Sequence, residues 1–225
     1  MFWPEQPKHK IAMMHPARTR RHKRTMSLKI PVAHDFICPW CWVGLVQAKR
    51  LEGEFGATID WLGYELWPAE LEWPDHKPGP EPPANKPVTP NRFEFILISD
   101  GLEIPKAERP KKMRTFNAHQ AVEYAKTEGV ANILVESFYH ALWRRGENIN
   151  DVAVIKELAS GTVKDIDALV SAVETQKFRE NVVHFDDDAY AAGIYNVPTF
   201  FIGGLRYAEQ PYSVLRQAVK KELDL

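Results

Sequence analysis

LKIPVAHDFICPWCW, residues 28–42, is the stretch that decides the fold of this chain. Its first part, Leu28–Phe36, is mostly apolar and is typical of a buried parallel strand. Pro31 requires that strand to be irregular or to take an edge position. A dithiol motif, Cys38-Pro39-Trp40-Cys41, follows at once, and helical spacing predicts a helix from Trp42 to Phe55. Two cysteines at a strand-to-helix junction are typical of redox-active thiols.

The position of the motif explains its chemistry. Cys38 is expected at or before the helix N-terminus, where unpaired N–H groups and the helix dipole stabilise a thiolate. Pro39 suits the first helical position because its missing N–H would be unpaired there anyway. Cys41 lies one turn further and would attack a mixed disulfide formed by Cys38. The sequence therefore predicts Cys38 as the attacking thiol and Cys41 as the resolving thiol.

Whole-chain composition excludes several other classes of protein. The chain has 225 residues, 44% hydrophobic and 26% charged, with a formal net charge of −1. The chain has no excess of basic residues that would indicate binding to nucleic acid or to an anionic membrane. No stretch approaches the ~20 apolar residues that span a bilayer. With only two cysteines, the chain does not resemble a secreted scaffold held by disulfides.

The alternative for a Cys-x-x-Cys pair is half of a zinc site. Such a site needs two further cysteine or histidine ligands at suitable spacing. There is no other cysteine, and His119 and His184 fall in separate segments that are predicted to be helical. We therefore expect no metal and no bound cofactor.

Residues 1–26 differ from the rest of the chain. The segment 8–24 is dense in Lys, Arg and His and has few apolar residues. It lacks the apolar run of about seven residues that a secretory signal needs. A mitochondrial-type transit peptide is less favoured because Ser is scarce and Pro16 interrupts a helix. We expect a disordered basic tail or a misread start before Met26, and a cytoplasmic protein.

Further elements complete an α/β pattern. Ala57–Leu66 is predicted as a second strand, which makes a βαβ unit with the first. Residues 67–90 contain eight prolines, so a Pro-rich surface loop is expected; a PPII ligand for another domain is the alternative reading. A helical insertion over residues 91–174 follows, with predicted helices at Arg92–Asp100, Thr115–Glu128, Ile133–Arg145, Asp151–Ala159 and Asp165–Val173.

The C-terminal part returns to the sheet. Thr175–Ala192 is predicted as one helix, and Phe200–Gly204 and Leu205–Ala208 as a β-hairpin. An amphipathic helix, Gln210–Leu223, closes the chain. The predicted fold class is α/β: a thioredoxin fold, built from residues 27–66 and 175–225, with an inserted α-helical domain.

A second site element precedes the predicted hairpin. Val197-Pro198 stands where thioredoxin-like folds carry a cis-proline facing the dithiol. Its role would be to hold backbone groups beside Cys38, where an extended substrate pairs as an added strand. The alternative is an ordinary proline at a strand start. Together with Pro39, Trp40 and Thr199, this dipeptide makes up the predicted substrate-binding set.

Three polar residues are candidates for tuning the thiols or moving protons. His34 and Asp35 come just before the motif, and His119 lies in a predicted helix. His34 and Asp35 have an alternative interpretation as surface groups at a strand end. Trp42 could line the site or belong to the core.

The segment His34–Gly44 resembles the D-[FV]-x-C-P-W-C-[YW]-x-G signature of the DsbA-like thioredoxin family, in particular its FrnE-type branch. Ala192–Phe200 is similar to that family's A-x-x-x-G-V-P-x-F block, with Asn196 where Gly is common. Phe116–His119 resembles its F-x-A-H element, although Arg114 stands where Asn is frequent. The resemblance implies dithiol oxidase, reductase or isomerase activity on protein or small-molecule disulfides and thiols.

The resemblance also brings in an alternative function. The related 2-hydroxychromene-2-carboxylate isomerases and kappa-class glutathione transferases share the architecture and use glutathione, but they typically lack the second cysteine. Retention of both Cys38 and Cys41 favours dithiol exchange, with glutathione as a possible co-substrate. A binding module or chaperone is a third reading, and an oligomer is compatible with all three. The motif leaves the direction of exchange open.

Overall fold

A computed structural model of the chain describes residues 28–73, 89–184 and 187–225. The predicted basic tail, residues 1–26, lies outside the described residues, as does most of the predicted Pro-rich loop. Within the described part, no helix is both long and apolar enough to cross a membrane.

A five-stranded mixed sheet forms the centre of the fold. Its strands are β1 Lys29–His34, β2 Thr58–Glu65, β3 Val183–His184, β4 Thr199–Ile202 and β5 Leu205–Ala208. They lie side by side in the order β3-β2-β1-β4-β5. The two predicted strands of the βαβ unit pair in parallel from Lys29–Thr58 to His34–Gly63. β4 runs antiparallel to β1, and β5 pairs with β4 at the sheet edge.

Pro31 lies within the central strand, so the predicted edge position is wrong. Its partner on β2 is Asp60, and the pairing of β1 with β4 involves only Val32 and Ala33. Pro31 therefore precedes the residues that pair with β4, which is how a central strand accommodates a residue without an N–H.

Helices cover the sheet and build the insertion, which confirms the predicted α/β class with a helical insertion. α1, Pro39–Phe55, crosses between β1 and β2 and ends at Gly56, which takes the left-handed conformation with φ 64°. Between β2 and β3 the chain forms α2 Arg92–Asp100, α3 Phe116–Glu128, α4 Ala131–His140, α5 Val152–Ala159 and α6 Ile166–Glu174. α7, Asp187–Ala191, precedes β4, and α8, Tyr212–Glu222, closes the chain.

One helix prediction is wrong in its extent, and a second is correct in extent but changes helix type near its end. Residues 175–192 do not form one helix, because Val183–His184 pairs with Tyr64–Glu65 as β3 and a short 3₁₀ turn, Arg179–Asn181, precedes it. His184 is therefore in a strand. The predicted helix over 133–145 ends at His140 and continues as a π-helical turn, Ala141–Arg145. At Val183–His184 the neighbouring strand β2 takes the backbone hydrogen bonds that a continuous α-helix would use.

One continuous apolar core joins the sheet to the insertion. Trp143, fully buried in the π turn, donates its indole N–H to the carbonyl of Phe36, at 2.7 Å. The Asp100 carboxylate accepts hydrogen bonds from Gln47 on α1 and from the backbone N–H of Tyr212. The first contact fixes the insertion against a residue just before the dithiol, and the others fix it against the helices α1 and α8.

Candidate active site

The N-terminus of α1 positions the two cysteines. Cys38 is the N-cap residue with extended backbone angles, φ −75° and ψ 122°, and Pro39 is the first helical residue, as predicted. The N–H groups of Cys41 and Trp42 donate to the Cys38 carbonyl, at 3.0 and 3.2 Å. Both cysteines are free and approach to 3.6 Å, farther than the ~2.05 Å of a disulfide bond. The structure therefore shows the pair as two separate thiols.

A loop before β4 faces the Cys38 thiol. The Cys38 Sγ lies 3.4 Å from the Val197 carbonyl oxygen, to which it can donate a hydrogen bond. The peptide bond between Val197 and Pro198 is cis. The Pro198 carbonyl accepts a hydrogen bond from the Glu209 N–H, at 3.1 Å, which ties the loop to the residue after β5.

Cys41 is enclosed more completely than Cys38. Its exposed fraction is 0%, against 7% for Cys38. The backbone N–H of Asp35 points at the Cys41 Sγ, at 3.5 Å. Burial raises the pKa of the Cys41 thiol well above its usual range, and the adjacent Cys38 side chain raises it further. Cys41 therefore stays protonated at neutral pH unless a nearby group removes its proton.

His34, Asp35 and His119 come together behind the dithiol. All three are almost completely buried, so His34 and Asp35 are not surface groups at a strand end. The Asp35 carboxylate accepts hydrogen bonds from the N–H groups of Leu66, at 2.8 Å, and Ile37, at 3.4 Å. One of its oxygens also lies 3.7 Å from His119 Nε2.

A residue that the sequence interpretation missed completes this buried layer. The Tyr139 hydroxyl lies 3.0 Å from His34 Nδ1. Burial is the main reason why the pKa of Tyr139 is well above its usual range, and the electrostatic influence of Cys41, Cys38 and Asp35 raises it further. Burial is also the main reason why the pKa of His34 lies well below its usual range, and the electrostatic influence of His119 and Lys126 lowers it further. No local signal marks Tyr139, because it lies 105 positions from His34.

The aromatic residues of the motif have separate surroundings. Trp40 contacts Phe93 on α2, with ring centroids 4.7 Å apart, and the Arg92 guanidinium lies 5.5 Å from its ring. Trp42 is 4% exposed and belongs to the core. Thr199 is buried, and its hydroxyl donates to the Asn196 carbonyl, at 2.6 Å.

A cavity of about 380 Å³ opens beside Ile37, the residue before Cys38. Arg109 and Lys111 supply positive charge to it, and the Arg109 guanidinium stacks on Trp143, 3.7 Å from the ring centroid. Neither cation has a carboxylate within ion-pair distance among the described residues. No group of three or more side chains that could hold a metal ion occurs in the described ranges. The other lining residues are Trp73, Ala107, Pro110, Met113 and Leu142.

A model of the DSBA-like thioredoxin domain matches residues 29–220, most of the chain. The chain belongs to the DSBA-like thioredoxin family. The predicted thioredoxin fold is thereby confirmed, and so is the predicted family. Membership supports thiol–disulfide oxidoreductase activity in general, although the family also includes isomerases and transferases.

The chain is also similar to proteins with several different descriptions. A 2-hydroxychromene-2-carboxylate isomerase of Sphingobium xenophagum is 22% identical over 79% of this chain and 90% of its own. A probable DsbA oxidoreductase from Streptomyces coelicolor superposes with a TM-score of 0.63 and 20% identity, over 88% of this chain and 90% of that one. The cytosolic disulfide reductase DsbM from Pseudomonas aeruginosa, solved with GSH, superposes with a TM-score of 0.61 and 17% identity. This superposition covers 88% of this chain and 100% of that one. At these identities the structures establish the fold alone.

Proposed function

We propose that this protein exchanges disulfides with protein or small-molecule thiols through Cys38 and Cys41. The observation that carries the proposal is the pair of free cysteines, 3.6 Å apart at the N-terminus of α1. A stable fold does not need this pair, because a disulfide that closes so short a loop adds little stability through chain entropy. Its placement at a helix N-terminus suits a thiolate nucleophile.

The exchange takes two steps. The Cys38 thiolate attacks one sulfur of the substrate disulfide, and the bond breaks with its electron pair on the other sulfur, which takes up a proton. Cys41, as a thiolate, then attacks the Cys38 Sγ and releases the second substrate sulfur as a thiol. The substrate gains two electrons and two protons, and the protein keeps a Cys38–Cys41 disulfide. The reverse sequence oxidises a substrate dithiol.

The loop at Val197 supports a role in substrate binding. In the dithiol form its carbonyl receives the Cys38 thiol hydrogen. When Cys38 enters a mixed disulfide, the carbonyl loses that donor and can accept an N–H from an extended substrate, as in β-strand addition. Pro39, Trp40, Pro198 and Thr199 would form the rest of this binding surface.

Substitution of the resolving cysteine tests the dithiol mechanism. We expect Cys41→Ser to accumulate a mixed disulfide between Cys38 and a substrate such as insulin, and to lose most of the turnover. Cys38→Ser should form no mixed disulfide at all. Unchanged insulin reduction by the Cys41→Ser variant would contradict the proposal.

Equilibration of the wild-type protein with glutathione buffers would then give its reduction potential and hence the direction of exchange.

Glutathione as a co-substrate is supported by the cavity beside Ile37. Arg109 and Lys111 can attract the carboxylates of a small anionic thiol into this cavity, whose lining includes Ile37, the residue before Cys38. We expect Arg109→Met to raise the KM for glutathione several-fold. Arg145→Met, which removes an exposed arginine paired with Glu147, is the matched control and should leave it unchanged. Equal KM values in the two variants would remove this support.

The second candidate function is glutathione-dependent isomerisation of a small electrophile. The similarity to the Sphingobium isomerase and the cationic cavity favour it. Cys41 distinguishes the two candidate functions, because an isomerase needs only the group at position 38 or glutathione bound there. Isomerase activity that survives Cys41→Ser would favour this function over dithiol exchange.

A cytoplasmic location is proposed on the likeness to a cytosolic disulfide reductase.

A further inference from the structure

Arg92, the first residue of α2, links two parts of the thiol site. Its guanidinium donates to the carboxylate of Glu209, at 3.1 Å, and to the backbone carbonyl of Glu209, at 2.9 Å. The same guanidinium lies 5.5 Å from the ring centroid of Trp40, inside the dithiol motif. Phe93, the next residue, packs against that ring with centroids 4.7 Å apart. The start of α2 therefore contacts both the motif and Glu209.

Glu209 in turn holds the loop that faces Cys38. Its N–H donates to the Pro198 carbonyl, at 3.1 Å, one position beyond the last pair of the β4–β5 ladder. The neighbouring Val197 carbonyl oxygen lies 3.4 Å from the Cys38 Sγ. The contacts thus close a ring that runs from the motif through α2 and the end of β5 back to the attacking thiol.

Local preferences explain neither member of this ion pair. The helix dipole disfavours a positive charge in the first turn of a helix, and reciprocal hydrogen bonds between Asn91 and Glu94 make Arg92 the first residue of α2. Glu209 has a φ of 50°, in the left-handed region that residues other than glycine and asparagine adopt at a cost. Residues that are unfavourable in their own segments are expected where a tertiary contact or a function requires them. The contact between Arg92 and Glu209 supplies that reason.

The other end of α2 is fixed to the same part of the molecule. The Asp100 carboxylate accepts hydrogen bonds from Gln47 on α1, at 2.7 Å, and from the Tyr212 N–H, at 3.0 Å. Tyr212 comes three residues after Glu209. α2 therefore contacts the connection between β5 and α8 at both of its ends, which fixes Arg92 relative to the loop.

We propose that the Arg92–Glu209 pair positions the loop before β4 to receive disulfides on an extended peptide backbone. The inference rests on the proposed function and names a substrate class for it. By holding the Pro198 carbonyl, the pair fixes the adjacent Val197 carbonyl where an extended substrate can donate an N–H to it beside Cys38. A small disulfide without a peptide N–H gains nothing from that carbonyl. Because the pair acts through the loop, both members are positioning residues.

Two coloured disulfides with the same leaving group test this inference. Each joins 2-nitro-5-thiobenzoate to a carrier thiol, which is either the cysteine of a short uncharged peptide or 2-mercaptoethanol. The Cys38 thiolate attacks the carrier sulfur, and the bond breaks with its electron pair on the coloured thiolate, which is released. Cys41, as a thiolate, then attacks the Cys38 Sγ, and the carrier leaves as a thiol after taking up a proton.

The measured quantity is the peptide preference of each protein. It is the second-order rate constant for release of the coloured thiolate from the peptide carrier, divided by the constant for 2-mercaptoethanol. Each constant is first divided by that of free dithiothreitol with the same disulfide, which removes the intrinsic reactivity of the carrier. A variant that merely weakens the fold slows both reactions alike and leaves the peptide preference unchanged.

We expect the wild-type protein to prefer the peptide carrier, and Arg92→Met to lower that preference about fivefold, the effect of one lost hydrogen bond. The rate constant with the 2-mercaptoethanol carrier should stay nearly unchanged. Arg216→Met is the matched control, because Arg216 pairs with Glu54 between α8 and the far end of α1. It should leave the peptide preference at the wild-type value.

A second variant removes the partner and keeps the backbone conformation. Glu209→Asn deletes the carboxylate at a position where asparagine tolerates the left-handed region, and it should also lower the peptide preference. The double variant should be no lower than Arg92→Met alone, because both residues act through one contact. Additive losses would overturn the inference, as would an Arg92→Met protein with the wild-type preference or a wild-type protein without one. If the wild-type protein releases no coloured thiolate, or mass spectrometry then finds no Cys38–Cys41 disulfide, the proposed function itself fails.

Discussion

Gly44 on α1 packs directly against Pro198, so that a Cβ atom at position 44 would lie 3.0 Å from both Cβ and Cγ of the proline ring. This close approach joins the helix that carries the dithiol to the loop whose carbonyl faces Cys38. Neither side can give way easily, since one is a helix backbone and the other a closed ring.

Gly44→Ala is therefore expected to separate the two parts of the site. Overpacking of this kind costs about 1–3 kcal/mol of unfolding free energy, and displacement of the loop should slow thiol exchange. Gly53→Ala is the matched control in the same helix, since nothing lies within 4 Å of its added Cβ. That control should stabilise the protein by about 0.5–1 kcal/mol. Urea unfolding of both variants checks this, and a stabilised Gly44→Ala protein would contradict the expected clash.

Burial of Cys41 should make the reduced protein less stable at alkaline pH. The pKa of Cys41 is raised in the folded state, so above the unfolded value of ~8.5 the folded state holds a proton that the unfolded state has lost. Stability then falls with rising pH, by at most about 1.4 kcal/mol per pH unit. Unfolding in the presence of a reductant between pH 8 and 10 measures this slope. Cys41→Ala should flatten it, and an equal slope in that variant would exclude Cys41 as the cause.

Burial of His34 has the opposite consequence at acid pH. Its pKa is lowered in the folded state, so below the unfolded value of ~6.5 the unfolded state binds a proton that the folded state does not. The stability present above that pH is lost as the pH falls, by at most about 1.4 kcal/mol per unit. His34→Asn should reduce the slope between pH 6.5 and 5. His140→Asn is the control and should change it less, because His140 is about one-third exposed.

The hydrogen bond from Trp143 to the Phe36 carbonyl should contribute measurably to stability. Trp143→Phe keeps most of the ring but leaves a buried carbonyl without this donor, which costs about 1–3 kcal/mol. Arg109→Met removes only the cation above the same ring and should cost less than half as much. Thermal unfolding of the two variants compares them. Equal losses would assign the effect to the stacked arginine and not to the hydrogen bond.

Local signals predicted much of this architecture. The dithiol at the start of α1, with Pro39 as the first helical residue, depends on backbone groups within one turn. The end of α1 at Gly56 and of α3 at Gly129 likewise follows from the left-handed conformation that glycine adopts without cost. The prediction of a single helix over residues 175–192 was wrong, because β3 depends on pairing with β2, more than a hundred residues earlier.

The sequence by itself determined where the two thiols lie and where the helix that holds them begins, because those properties are set by neighbours in the chain. Only the tertiary structure decided what surrounds them. Tyr139 meets His34 and Asp35 across more than one hundred positions, and Val197 reaches Cys38 across 159. Such contacts arise when the insertion and the sheet bury a common core. The spacing of residues along the chain does not predict them. The dithiol could therefore be predicted from the sequence, whereas the buried groups that surround it could not.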